Sequence, residues 1–95
     1  MTKTLVTRLP DDYIRNLKEI ARKEQLDTST IVRRLLAKAI EEWKVQFALE
    51  ELRNHKISIG KAAEIANLSI WDMMTLAHES NIDWTGYTQE DVERL

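Results

Sequence analysis

The 95-residue chain has no cysteine, which excludes disulfide staples and thiolate chemistry. Its two histidines, His55 and His78, are too few for a closed zinc site without several carboxylates beside them. Two glycines and one proline leave little material for long irregular loops. No apolar run approaches the roughly 18 residues of a membrane span. The opening MTKTLVTRLPDD lacks the apolar stretch that leads a secreted protein. No nucleophile, base and orienting group fall together, so an enzyme is not expected. These absences predict a cytoplasmic, non-enzymatic protein with no cofactor, metal or membrane partner.

What is present is a charge gradient. Net charge is −2, but residues 1–43 hold nine Lys/Arg against seven Asp/Glu, and residues 44–95 hold five against nine. From Ser69 onward Arg94 stands alone against six acids. A basic front and an acidic rear point to two different partners.

Along the chain, Lys3 to Leu9 (KTLVTRL) alternates like a strand, with Leu5, Thr7 and Leu9 on one face and Thr4, Val6 and Arg8 on the other. Pro10 ends it, and Asp11 and Asp12 suit the first turn of a helix reaching about Gln25. Asp27 is a good N-cap for a second helix, whose stripe runs through Ile31, Val32, Leu35, Leu36, Ala39, Ile40 and Trp43. Nothing stops that helix before about Asn54, yet Val45, Ala48, Leu49 and Leu52 fall roughly half a turn away from the earlier stripe. We therefore place a boundary near Lys44, giving domains 1–43 and 44–95, with one helix or two over residues 28–54. In the second domain Ser58 caps a helix from about Ile59 to Ala66, Asn67-Leu68 turns, and Ser69 caps a helix to about Ser80. Thr88 and Asp91 have the spacing of a capping box for a final turn.

A lone strand leaves its N–H and C=O groups without partners. The simplest remedy is a twofold homodimer in which two strands pair antiparallel, with Leu5, Thr7 and Leu9 facing the shared core. A two-stranded ribbon fits the DNA major groove. The run TLVTRLPDDYIRNLKEIARKEQLDTSTIVRRLLAKAI resembles the ribbon-helix-helix repressors of the Arc, MetJ and CopG kind, above all the antitoxins of that fold, over residues 2–43. The resemblance implies that Thr4, Val6 and Arg8 read bases of an operator duplex. It also implies that Lys3 and the backbone around Thr28 and Ser29 hold phosphates. Val6 departs from the polar residue usual in that family. The same strand face, and Arg33-Arg34, also have the composition of a merely solvated surface.

Residues 58–80 have the outline of a helix-turn-helix. However, SIWDMMTLAHES, in the reading position, has no lysine or arginine and carries Asp72 and Glu79, which phosphates would repel. Trp71, Met73, Met74 and Leu76 read as core or dimer packing. The segment from about residue 47 to 95 is similar to a small uncharacterised prokaryotic family whose genes often sit beside a PIN-domain toxin. Gly60-Lys61-Ala62-Ala63-Glu64, Leu68-Ser69-x-Trp71 and Ile82-Asp83-x-Thr85 carry the likeness. It implies a toxin as partner, with a PIN-domain ribonuclease expected but not settled by the likeness. The acidic, aromatic composition of the tail points to Trp84 and Tyr87 as anchors and Glu90, Asp91 and Glu93 as charges for that contact. Trp84 and Tyr87 have the alternative of folding onto their own domain.

The expected fold is thus mainly α: an N-terminal ribbon-helix-helix of one strand and two helices, intertwined as a dimer, then a small helix-turn-helix-like α domain. The expected function is a type II antitoxin that represses its own operator as a dimer, or a dimer of dimers, and neutralises a toxin through its C-terminal region. The alternative is a stand-alone regulator whose rear module oligomerises or senses a ligand.

Overall fold

The computed structural model describes residues 2–86, and these contain four α-helices. They are α1 (Asp11–Glu24), α2 (Thr28–Arg53), α3 (Ile59–Ala66) and α4 (Ile70–Glu79). The chain divides into two compact units, Met1–Lys38 and Ala39–Leu95, so the division falls inside α2 and before Lys44. Residues 28–53 form one unbroken helix, which answers the question the two apolar stripes had left open.

The N-terminal strand is not there. Residues 2–9 have no regular structure and are exposed throughout, and no strand exists among the described residues. The ribbon-helix-helix expectation is therefore wrong for this chain. Alternation of apolar and polar residues can only choose the face of a strand that already has a neighbour. Its N–H and C=O groups must be paired by other backbone, and the described chain offers no second segment to do so. Leu5 and Leu9, expected in a core, lie in solvent.

The helix starts follow local chemistry. Pro10 occupies the N-cap of α1, with Asp11 and Asp12 in its first turn and Arg22 and Lys23 in its last, a charge order that suits the helix dipole. Ser58 and Ser69 cap α3 and α4, each hydroxyl accepting a backbone N–H at 3.1 Å, from Lys61 and Asp72 respectively.

The helix ends share one solution. Gln25, His55, Asn67 and Asn81 all sit in the left-handed region, with φ of 55–56°. After each, the next N–H reaches back over the end of the helix: Leu26 to Ala21, Lys56 to Glu51, Leu68 to Ala63 and Ile82 to Ala77. This geometry usually takes glycine, yet no glycine stands at any of the four positions. Three of the four ends repeat a seven-residue pattern. A buried alanine (Ala21, Ala63, Ala77) is followed four residues on by Gln or Asn, then by Leu or Ile, then by Asp or Ser. The last residue starts the next element: Asp27 opens α2, Ser69 caps α4, and Asp83 accepts from the N–H and hydroxyl of Thr85.

The second unit owns the main core. Ala48, Leu49 and Leu52 of α2, Ala62, Ala63 and Ala66 of α3, Met73 and Ala77 of α4, and Ile82 form one buried cluster. Among the described residues of the first unit, Ala21 and Ile31 are the buried ones.

Candidate functional site

In the first unit, the backbone of residues 2–5 runs beside the start of α2. Thr2, Lys3, Thr4 and Leu5 on one side, and Thr28, Ser29, Val32, Arg33 and Leu36 on the other, border an open cleft of about 610 Å³. Four of the sequence-predicted DNA residues, Lys3, Thr4, Thr28 and Ser29, are thus brought together. Val6 and Arg8 are exposed but lie outside the cleft.

The floor of the cleft is the N-terminus of α2, and it already holds an anion. The Asp27 carboxylate accepts the Thr30 N–H at 3.3 Å and the Thr30 hydroxyl at 2.5 Å. Arg33 donates to that same hydroxyl at 3.3 Å. The Thr30 hydroxyl bond is the main reason that the Asp27 carboxyl titrates below the usual carboxylate range, with smaller help from the Thr30 N–H and the charge of Arg33. The backbone N–H groups of Thr28 and Ser29 have no partner among the described residues. Lys3 and Arg33 are the two cations that border the cleft.

A second basic group escaped the sequence reading. Arg15, Lys18 and Arg22 line an open depression on α1 together with Glu19. Their spacing of three and then four residues places all three within about 60° around the helix. Glu19 is engaged by Lys23 at 3.3 Å, which leaves the three cations dominant on that face. The three-and-four spacing of Arg15, Lys18 and Arg22 is the signal in the sequence that marks this face.

In the second unit the aromatic expectations divide. Met73 is fully buried and Leu76 is half-buried against the same cluster, as core residues should be, whereas Met74 is half-buried but is not among the residues packed on that cluster. Trp71 is instead 74% exposed, because it follows the Ser69 cap by two positions and faces away from the stripe formed by Met73 and Ala77. Trp84 is half-buried and packs on the cluster of its own unit, so the fold-back alternative holds for most of its surface. Asp83 beside it titrates below the usual range, chiefly through the bond from the Thr85 hydroxyl and then the Thr85 N–H. Tyr87, Glu90, Asp91 and Glu93, named as toxin contacts, and the Thr88–Asp91 capping box lie outside the described residues. No group of three or more His, Asp or Glu residues able to hold a metal occurs among the described residues. No helix there is long and apolar enough to cross a membrane.

Neither a curated protein nor a solved structure matches the chain. A family profile does match, over residues 27–94. It begins at Asp27, the residue that opens α2, takes in all of α2, α3 and α4, and leaves out residues 2–9 and α1. The likeness noted from about residue 47 thus extends back through the whole of α2. On that match, which spans more than two thirds of its length, the chain belongs to the uncharacterised protein family UPF0175.

Proposed function

We propose that this protein is a DNA-binding antitoxin that works in the cytoplasm as a homodimer. Its first unit grips an operator duplex, and its second unit binds and silences a PIN-type ribonuclease. The observation that carries the reading is the charge partition between the two units. Residues 1–38 hold nine Lys/Arg against five Asp/Glu, and residues 39–95 hold five against eleven. The division drawn by the fold therefore separates charge more sharply than a cut at Lys44, and it does so inside a single continuous helix.

A net charge of this size on a 38-residue unit is the footprint of a polyanion partner. The contacts do not depend on a ribbon. Lys3 at the cleft and Arg15, Lys18 and Arg22 on α1 address phosphates, and Arg8 in the exposed N-terminal residues is able to reach a guanine edge in a bidentate manner. The acidic second unit suits a protein surface that itself evolved to hold RNA.

The test is fluorescence anisotropy with the duplex upstream of the protein's own gene and a scrambled duplex of equal length, across a series of KCl concentrations. Affinity is expected to fall linearly in log–log form as salt rises, with a preference for the upstream duplex. Replacing Arg8 by Ala is expected to cost about 1–3 kcal/mol on that duplex and less on the scrambled one. Absence of binding, or binding indifferent to salt, would refute the DNA half. For the other half, the protein is titrated into a PIN-domain ribonuclease encoded beside it, and cleavage should stop near equimolar ratio. DNA binding without inhibition would leave a stand-alone regulator.

A further inference from the structure

The face of α2 opposite the core is the largest feature that the proposed function leaves unused. Leu36, Ile40, Trp43 and Phe47 recur at spacings of four, three and four residues, and all lie within about 60° of one another around the helix. This stripe is centred roughly 160° away from Ala48, Leu49 and Leu52, which fill the core. Every member is open to solvent: Leu36 by 53%, Ile40 by 53%, Trp43 by 64% and Phe47 by 39%. The rings of Trp43 and Phe47 are stacked with centroids 5.0 Å apart, so the pair forms one continuous apolar surface.

The spacing is that of the inner positions of a two-helix coiled coil. Extended by one step at each end, the same rows reach Arg33 and Glu50. Here the charges choose a partner and a direction. If two copies of α2 lie antiparallel about a twofold axis passing between Glu41 and Glu42, Leu36 meets the partner's Phe47, and Ile40 meets the partner's Trp43. Arg33 then meets the partner's Glu50, once at each end of the seam. A parallel arrangement would instead set Arg33 against Arg33 and Glu50 against Glu50, which is unfavourable. A sequence whose flanking charges cancel only against its own reversed copy is self-complementary.

We propose that this face of α2 is the docking surface for a second copy of the chain, joined antiparallel through Leu36, Ile40, Trp43 and Phe47 and closed at both ends by Arg33 and Glu50. The flanks permit close approach: Ala37 and Ala39 beside the seam are small, while Lys44 and Gln46 carry apolar stems under polar heads. The four exposed side chains offer on the order of 400 Å² per chain, a patch of the size that marks an interaction site on a monomer. Two such patches with their flanks approach the roughly 1,200 Å² at which specific interfaces begin. Glu50 is free to exchange partners, because its present bonds to Arg53 at 3.5 Å and Asn54 at 3.5 Å are surface contacts. Arg33 and Leu36 also border the cleft of residues 2–5, so the seam ends at the edge of the proposed DNA surface. The seam stands on the α2 stripe alone and does not require DNA binding.

The experiment is sedimentation equilibrium on the full chain, without DNA or nuclease, for the natural protein and four variants. The natural protein should be a dimer at micromolar concentration. Trp43→Glu should be monomeric with unchanged helical circular dichroism, since Trp43 is outside the core. Arg33→Glu alone and Glu50→Arg alone should each weaken dimerisation about tenfold, and the double variant R33E/E50R should restore it. A monomeric natural protein overturns the proposal. So does a dimer indifferent to Trp43→Glu, or one in which the single charge reversals change nothing. Salt-dependent DNA binding by a monomer would overturn the seam, and with it the homodimer of the proposed function, while leaving the DNA contacts in place.

Discussion

Leu52→Ala is the perturbation that most directly probes the seating of α2 on α3 and α4. Leu52 is 1% exposed and lies in the cluster with Ala48, Leu49, Ala62, Ala63, Ala66, Met73, Ala77 and Ile82. The change removes three carbons, a transfer loss of about 2.4 kcal/mol at about 0.8 kcal/mol per carbon. A cavity penalty is added, and it should be near the upper part of its range. Five of the eight neighbours are alanines, whose side chains have no length with which to fill a void. Met73 is the one flexible neighbour able to swing in. We expect a loss of about 3–4 kcal/mol. A unit of this size is worth only on the order of 3–8 kcal/mol in total, so the melting temperature should drop by more than about 10 °C. Urea titration and thermal melts followed by far-ultraviolet circular dichroism measure both quantities. A cost below about 1 kcal/mol would mean that the C-terminal half of α2 is not packed on the α3–α4 pair.

The helix ends allow opposite tests. Gln25→Gly should stabilise by about 0.5–1 kcal/mol, seen as a higher urea midpoint, because glycine adopts the left-handed backbone there without a Cβ penalty. Ser58→Ala and Ser69→Ala should each cost about 1 kcal/mol by the same assay, through loss of the bond to the Lys61 or Asp72 N–H. Asp27 and Asp83 both titrate below the ordinary carboxylate range in the folded chain. Their stabilisation is therefore complete above the unfolded carboxylate pKa and is lost as pH falls through the lower folded values. D27N and D83N should flatten that acid limb of the urea midpoint, and an unchanged limb would refute the assignment. Lys3→Ala should lower the salt slope of DNA binding by about one without altering helical content.

The helical half of the architecture was legible in the sequence because its causes are local. A serine three residues before a free N–H makes a cap wherever the chain places it, and so Ser58 and Ser69 announced α3 and α4 to within a residue. The opposed stripes on residues 31–52 likewise followed from helical geometry alone, as did the burial of Met73. The repeated alanine-to-Asp/Ser pattern at three helix ends was also written there, but it is recognisable only once Gln25, Asn67 and Asn81 are seen to share a left-handed backbone. The strand failed for the complementary reason. Its alternation is local, but its bonds are not, and tertiary structure left Lys3 to Leu9 with nothing to pair with. Tertiary structure alone also decided that Trp84 lies on the core, and that Lys3 and Thr4 meet Thr28 and Ser29 across a cleft. Each of these is a meeting of residues far apart in the chain, and neither periodicity nor capping carries information about such distances.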